Sequence, residues 1–314
     1  MGTVFDVAIV GYGPAGITAA IYAARKRLSV VLIGELPGGE VVNSGEIENW
    51  TGDGHTDGLT LAKKMVGHLD LHKDQVTVDQ DLVAKVARGS GRQFEVMTRG
   101  DKTYTAKTVI YTAGRHPRPL GISGESEYKN KGVTYCATCD APLFSGKDVV
   151  VIGGGNTGAE AVIMLQKIAK KIYFLHLEDQ LRADPILVEN FKNDPKVEII
   201  LNAKTTTVSG SMMVEAVTFE DVNTKATRDL KVQGVFVAIG AIPNTEPVKD
   251  LIPLDRFGAI EADRYGKTAL DGFFAAGDVT NIRDAQIVVA AGHGCSAALS
   301  AGDYLSRMGA PEGI

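Results

Sequence analysis

Two thiols and an acid stand together in one short run, Cys136-Ala137-Thr138-Cys139-Asp140. Thiols separated by two residues can close a small, readily reduced disulfide, and one of the two thiolates can have a depressed pKa. An acid directly after the second cysteine supplies a proton donor for that exchange. Two glycine-rich runs accompany the pair: Gly11-Tyr12-Gly13-Pro14-Ala15-Gly16 at the N-terminus and Gly153-Gly154-Gly155-Asn156-Thr157-Gly158 just after it. Glycine at positions one, three and six permits a tight turn and a close backbone approach to a pyrophosphate. Two dinucleotide loops and one dithiol together imply electrons passed from a nicotinamide through a flavin to a disulfide.

Other uses of the cysteines are weaker. Half of a zinc site needs a second ligand pair, and the chain offers only Cys295, so no metal is expected. Inert core thiols are poor neighbours for Asp140. Cys295 itself, among Gly294, Ser296 and Ala297, reads as a core residue. His68 and His72 have the spacing of a helical metal pair. No glutamate lies between them, and a solvated helix face is the better reading.

The elements around the loops fit their chemistry. Residues 4–10 form an apolar, β-rich run, residues 15–25 an apolar helical stretch, and residues 29–33 a second strand. That is the βαβ context a phosphate-cradling loop requires. The pattern recurs with a strand at 148–152, a helix at about 157–168 and a strand at 172–176. The repeat predicts an α/β fold of two doubly wound, Rossmann-like domains. Between them, residues 92–96 and 102–105 alternate like a small antiparallel sheet, and 108–113 reads as a buried strand ending in Gly114. Residues 234–240 and 272–275 are further strands, and a small-residue helix spans 285–305. The Pro-rich passage 115–119 and Pro243-Asn244 mark two linkers. The expected layout is one domain of residues 1–116 and 246–314 with a second, 117–245, inserted.

About twenty residues beyond the last glycine of each loop stands a carboxylate, Glu35 in the first unit and Glu178 in the second. Such a residue can accept bonds from a ribose hydroxyl and would repel a 2′-phosphate, which favours NADH over NADPH. Glu178 can also be read as a plain solvated charge at a strand end.

Length and composition set the class. The 314 residues suffice for two domains, with 44% apolar and 23% charged residues. A net charge of −5 without a basic tract argues against nucleic acid. No apolar run reaches the length of a membrane span, since Arg25, Lys26 and Arg27 interrupt the longest early candidate. The chain passes from Met1 straight into a strand without a leader, so Asn49-Trp50-Thr51 carries no weight as a glycosylation acceptor and a cytoplasmic enzyme is expected.

With these residues assembled, the chain resembles the low-molecular-weight thioredoxin reductases along essentially its whole length. The matching stretches are the two glycine loops, Gly38-Gly39-Glu40, Glu48-Asn49-Trp50, Cys136-Ala137-Thr138-Cys139-Asp140, Ala238-Ile239-Gly240 with Pro243-Asn244-Thr245, and Ala276-Gly277-Asp278-Val279. The resemblance implies a homodimer that binds FAD in the terminal-segment domain and a nicotinamide nucleotide in the inserted one. It implies that Cys139 lies against the flavin, that Cys136 attacks a thioredoxin-like protein, and that Asp140 protonates the departing thiolate. FAD would draw on Gly11, Gly13, Pro14, Ala15, Glu35, Gly39, Glu40, Asn49, Gly114, Asp278, Gln286 and Ile287. NADH would draw on Gly153, Gly155, Asn156, Thr157, Gly158, Glu178 and Arg182. A swing of the inserted domain about the two linkers would let the flavin serve both partners in turn.

Two stretches depart from the NADPH-dependent members. Where those carry His-Arg-Arg-x-x-x-Arg, this chain has His176-Leu177-Glu178-Asp179-Gln180-Leu181-Arg182, and where they carry Arg-Gln-Ala it has Ala285-Gln286-Ile287. Gly158 also stands where they often have alanine. The lost cations are 2′-phosphate partners. NADH, NADPH and a non-pyridine donor such as ferredoxin or a deazaflavin therefore remain the donors to be separated. A non-catalytic redox sensor has no evident need for Asp140. A peroxiredoxin-reductase subunit would need room for a further thioredoxin-like domain at the N-terminus.

Overall fold

A computed structural model describes residues 3–44 and 46–308. The chain divides into two compact units, residues 1–116 with 242–314 and residues 117–241. Six α-helices occur among the described residues: α1 (Pro14–Arg25), α2 (Gly58–Asp70), α3 (Ala137–Asp140), α4 (Asn156–Gln166), α5 (Pro185–Glu189) and α6 (Ile287–Met308).

In the first unit, Val4–Val10 pairs in parallel with Val30–Ile33 on one side and Thr103–Tyr111 on the other. Val76–Asp79 extends the sheet beyond Val30–Ile33, and Phe273–Ala275 joins Thr103–Tyr111, both in parallel. Residues 7–10 and 30–33 are buried along their whole length, because helices cover both faces of a parallel sheet. One of those faces is covered by α1 and α6, whose small residues let the helices approach closely. A Cβ at Gly294 of α6 would overlap the Ala15 carbonyl of α1. Asp57 caps α2, accepting from the Thr60 backbone N–H at 2.9 Å.

The second unit repeats the plan. Its parallel sheet runs Val133–Thr134, Gly234–Val237, Asp148–Ile152, Lys171–Leu175, Val197–Ile200. A three-stranded antiparallel sheet, Ala203–Gly210, Val214–Asp221 and Thr227–Lys231, packs Val208, Val217, Phe219 and Leu230 into the core of the same unit. The α/β class and the two Rossmann-like sheets are as the sequence implies.

Several details differ from the sequence reading. Residues 102–105 and 108–113 are not separate strands but one, Thr103–Tyr111. Its first half pairs antiparallel with Phe94–Thr98, and its second half pairs parallel with Phe273–Ala275. The expected small antiparallel sheet is thus an extension of the main one, held there by Phe94, Val96, Tyr111 and Phe273 in one core. Residues 115–117 are a short strand pairing with Ala241–Pro243 rather than an irregular linker. The second division falls at 241/242 rather than 245/246 because Asn244 is tied to the first unit. Its N–H donates to Gly114 O at 3.0 Å, its Nδ2 to Ala113 O at 2.8 Å, and its own carbonyl accepts from Tyr111 Oη at 2.8 Å. Cys295 is half-buried rather than a core residue. His72 lies beyond the end of α2, and among the described residues no group of three or more His, Cys, Asp or Glu could hold a metal ion.

Candidate functional site

Strand Val133–Thr134 ends directly before the cysteines, and Cys136 is the N-cap of the single-turn helix α3. Cys136 and Cys139 are disulfide-bonded, and the Cys139 backbone N–H donates to Cys136 Sγ at 3.2 Å. Cys136 is half-buried and Cys139 exposed, so the bridge is open to an outside group on the Cys139 side. Asp140 is half-buried behind them. Burial raises its carboxyl above the ordinary aspartate value, and a hydrogen bond from the Thr134 hydroxyl to Oδ2 draws it part of the way back. A carboxyl so placed can keep its proton to higher pH than an exposed one and deliver it to a thiolate.

The approach to the pair is braced by a buried carboxylate that sequence reasoning passed over. Glu125 accepts the backbone N–H groups of Leu120 and Gly121, each at 2.8 Å, and the Tyr135 hydroxyl at 2.8 Å. Tyr135 immediately precedes Cys136, so Glu125 fixes the backbone leading into the redox pair. Burial, and then Glu125, push the Tyr135 phenol far above its ordinary range, which keeps it a donor.

The two glycine loops have one design. Gly11 and Gly153 hold φ of 114° and 122°, and a Cβ on either would overlap the carbonyl oxygen of Thr112 or Ala238, each just past the end of the neighbouring strand. A Cβ at Gly16 or Gly158 would overlap the carbonyl of Gly11 or Gly153. The middle glycines are different. A Cβ at Gly13 meets nothing nearer than Gly39 Cα at 3.8 Å, and one at Gly155 meets nothing within 4 Å. Each middle glycine is the N-cap of its helix, and neither helix has a side-chain cap. The first-turn N–H groups of α1 and α4 therefore lack the side-chain acceptor that usually covers them. Backbone donors of this kind, beside open space at a positive helix end, suit a pyrophosphate.

In the first unit the structure gathers the residues expected to serve FAD near the C-terminal ends of the parallel strands. Gly13, Pro14 and Ala15 open α1; Gly39 packs on Gly13 from the 3₁₀ turn Gly39–Asn43, which also carries Glu40. Exposed Glu35 follows Gly34 past the end of Val30–Ile33. Gly114 holds φ of 65° after Thr103–Tyr111. Asn49 Nδ2 donates to Gln286 Oε1 at 3.3 Å, one residue before Ile287 opens α6. Asp278 sits in the turn Gly277–Val279 with its carboxyl raised by burial and partly lowered by Arg115, whose Nε is 3.9 Å away. Arg115 and His293 were missed from the sequence. His293 Nδ1 accepts the Gly277 N–H at 3.2 Å, and burial keeps the imidazole neutral to lower pH.

In the second unit, Asn156 of the loop exchanges bonds with Asp184, Nδ2 to Oδ2 at 2.9 Å and the Asp184 N–H to Oδ1 at 2.8 Å. Thr157 is exposed in the first turn of α4. Glu178 is not a lone solvated charge. Arg182 holds it through one guanidinium edge, Nε donating to Oε2 at 2.7 Å and Nη2 to Oε1. Buried His176 accepts the Gly154 N–H on Nδ1 at 3.1 Å, and its Nε2 faces Glu178 Oε2 at 3.7 Å.

Residues 5–294 match the family model for pyridine nucleotide-disulphide oxidoreductases. The chain belongs to that family. Among solved structures, thioredoxin reductase from Streptococcus pyogenes is similar at 38% identity, with a TM-score of 0.90 over 98% of this chain and 100% of that one. Thioredoxin reductase from Giardia duodenalis is similar at 31% identity and a TM-score of 0.90, over 97% and 100%. An alkyl hydroperoxide reductase subunit from Pseudomonas aeruginosa is 41% identical over 98% of this chain and 60% of that protein. A protein from Bacillus subtilis named NADH dehydrogenase is 40% identical over 96% of this chain and 59% of its own length. The chain thus spans about three fifths of the length of these curated relatives. The resemblance to the low-molecular-weight thioredoxin reductases is borne out.

A pyridine nucleotide-disulphide oxidoreductase implies FAD and a pyridine nucleotide, and the residues present fit both. Each unit offers an uncapped helix end beside an open glycine, with a carboxylate past the adjacent strand. No helix among the described residues is long and apolar enough to cross a membrane.

Proposed function

We propose that this flavin disulfide oxidoreductase is a thioredoxin-disulfide reductase that takes electrons from NADH and passes them through FAD and the Cys136–Cys139 disulfide to a thioredoxin-like protein. The observation that carries the reading is the Cys136–Cys139 bridge, exposed at Cys139 and backed by a carboxyl with a raised pKa. FAD, when bound, supplies two-electron exchange between a nicotinamide hydride and a disulfide. The chain's own residues do the rest. Residues 1–116 and 242–314 would hold the flavin, with the open face of Gly13 and the first turn of α1 at its pyrophosphate. Residues 117–241 would hold the nicotinamide nucleotide at Gly155 and α4. Cys136 would attack the partner's disulfide, Cys139 would resolve the mixed disulfide, and Asp140 would hold the proton that the departing thiolate takes up.

Support for NADH comes from the Glu178–Arg182 pair. The one cation retained near the ribose site is already engaged by a carboxylate, so a 2′-phosphate would meet Glu178 and lose Arg182. The name of the Bacillus subtilis relative points the same way. Anaerobic mixing with each nucleotide while following flavin absorbance tests the donor. Bleaching by NADH well ahead of NADPH is expected, and inertness to both would favour a ferredoxin or deazaflavin donor instead.

A second reading draws on the relatives named as alkyl hydroperoxide reductase subunits. The electrons would then serve a hydroperoxide-reducing partner through the same cysteine pair. Turnover with thioredoxin as the sole acceptor supports the first reading, and turnover only with a peroxidase partner supports the second. We further propose a homodimer, which light scattering of the purified protein would test.

A further inference from the structure

We propose that Thr134 is a positioning residue for Asp140, locking one carboxyl oxygen and the Cys136 backbone with a single hydroxyl so that the other oxygen is left to carry the transferable proton. The proposal rests on the reading of Cys136 and Cys139 as a dithiol–disulfide exchange centre and names a part of it that has no nucleophile or acid of its own.

A threonine hydroxyl has one proton to donate and lone pairs to accept with. Here the Cys136 backbone N–H donates to Thr134 Oγ1 at 3.2 Å, and Oγ1 in turn donates to Asp140 Oδ2. The three groups form a directed chain: Cys136 N–H to Thr134 hydroxyl to Asp140 carboxyl. Thr134 is buried at 6% exposure and pinned by its strand, which pairs Thr134 with Phe236. Neither the hydroxyl nor the backbone behind it has much freedom to turn away. With Oδ2 engaged as an acceptor, the acidic proton belongs on Oδ1. That assignment would otherwise be shared between two equivalent oxygens.

Charged groups do not compete for this role. Burial and the Thr134 hydroxyl are the causes acting on Asp140. The turn after α3 (Ala141–Phe144) and the strand paired with Thr134 (Gly234–Val237) carry no titratable side chain. On α4, which packs against α3, the one such residue is Glu160, and it is exposed. The cysteines themselves are titratable neighbours once reduced, and Tyr135, between Thr134 and Cys136, gives its hydroxyl to Glu125 instead. Thr134 is thus the polar side chain that tempers the rise which burial imposes on this acid.

The exchange balances with this assignment. In the reduced pair the Cys136 thiolate has its proton on Asp140. It attacks one sulfur of the partner's disulfide, and the other partner sulfur leaves with the bonding electrons and takes the proton from Oδ1. Cys139 then attacks Cys136 Sγ, its own proton passing to the partner sulfur that leaves with the bonding electrons, and the Cys136–Cys139 bridge re-forms. Two electrons and two protons have passed from the dithiol to the partner.

The test uses Thr134→Val, which keeps the shape and removes the hydroxyl, and Thr134→Ser, which keeps the hydroxyl. Difference infrared spectroscopy of the purified chain across pH, with Asp140→Asn identifying the band, reads the carboxyl directly. Thr134→Val should move the Asp140 titration upward by about one pH unit, and Thr134→Ser should restore it. The alkaline limb of disulfide-reductase turnover should move upward with it, and its maximum should fall by about tenfold. An Asp140 titration in Thr134→Val that superimposes on wild type overturns the proposal. Should Thr134→Val fail to fold, Thr134→Ala carries the same expectation and the same overturning result. Wild-type protein without any disulfide-reductase turnover would sink the proposed function, whereas the infrared titration would still decide the role of Thr134.

Discussion

The two nucleotide turns are nearly superimposable in their constraints and differ in what surrounds them. Gly13 and Gly155 hold almost the same backbone, φ/ψ of −85°/−173° and −89°/−175°. The first and last glycines of each turn are packed against carbonyls of the chain itself, and the middle one faces open space. Past the next strand the two units diverge. The first continues through Gly34 to an exposed Glu35, whereas the second places buried His176 under Gly154 and an Arg182-bound Glu178 beside it. The second unit alone carries the redox pair. The comparison separates two jobs. Glycine packing builds a cradle for any dinucleotide, and the side chains beyond it choose the ligand and add the chemistry.

The largest effect expected is on that added chemistry. Cys136→Ser or Cys139→Ser should lower reduction of a thioredoxin-like protein by about a thousandfold or more while the protein stays yellow and its flavin oxidase activity persists. Wild-type turnover in either variant, measured with thioredoxin as acceptor, would mean that the two units share the exchange in some other way.

Within the cradles, the outer and middle glycines should part company. Gly153→Ala puts a methyl group onto the Ala238 carbonyl at a left-handed φ and should cost about 3 kcal/mol or more. Gly155→Ala, at an ordinary φ beside open space, should change stability by no more than about 0.5 kcal/mol. It should nevertheless slow flavin reduction by NADH. Urea denaturation with stopped-flow reduction compares the two, and equal destabilisation would erase the distinction between packing and ligand glycines.

The choice of nucleotide should yield to Glu178. Glu178→Arg removes the carboxylate and frees Arg182, and should shift the NADPH:NADH preference by about 10- to 100-fold. An unchanged ratio of kcat/KM values would take Glu178 away from the ribose.

The smallest effect concerns stability and pH. Asp140 has a folded pKa above its unfolded value because it is buried. Between the two values the folded chain binds more protons than the unfolded one, so this group's contribution falls as pH rises toward the folded pKa. Asp140→Asn escapes that cost. It should melt about 2–4 °C above wild type at neutral pH, the gain shrinking in acid, and should still lose disulfide reduction. A gain that grows in acid would reverse the assigned direction.

How much of this was legible in the sequence depends on where each signal resides. Residues 4–10 and 148–152 could be read directly, since an unbroken apolar run followed by glycine has few other uses. The continuous strand Thr103–Tyr111 was hidden by Lys107, which looks like an interruption but simply points outward to Asp6 at 2.7 Å. The antiparallel sheet at 203–231 was invisible because Lys204, the threonines at 205–207 and the charges at 227–231 dilute its alternation. Cys136, Cys139 and Asp140 announced themselves by type and spacing. Thr134 did not, because a hydroxyl two residues ahead of a cysteine acquires meaning only when the helical turn brings Asp140 back to it. Glu178 and Arg182 were each visible, but their mutual engagement required the chain's turn past the strand.

The central claim is that electrons from a nicotinamide reach the sulfur pair by way of a flavin. Anaerobic titration of the purified protein with NADH, followed by alkylation and mass spectrometry of the cysteines, tests it most directly. The yellow chromophore should bleach, and Cys136 and Cys139 should both become alkylated in proportion to the NADH consumed. A colourless protein, or a bleached flavin with the Cys136–Cys139 bridge still intact, would contradict the account.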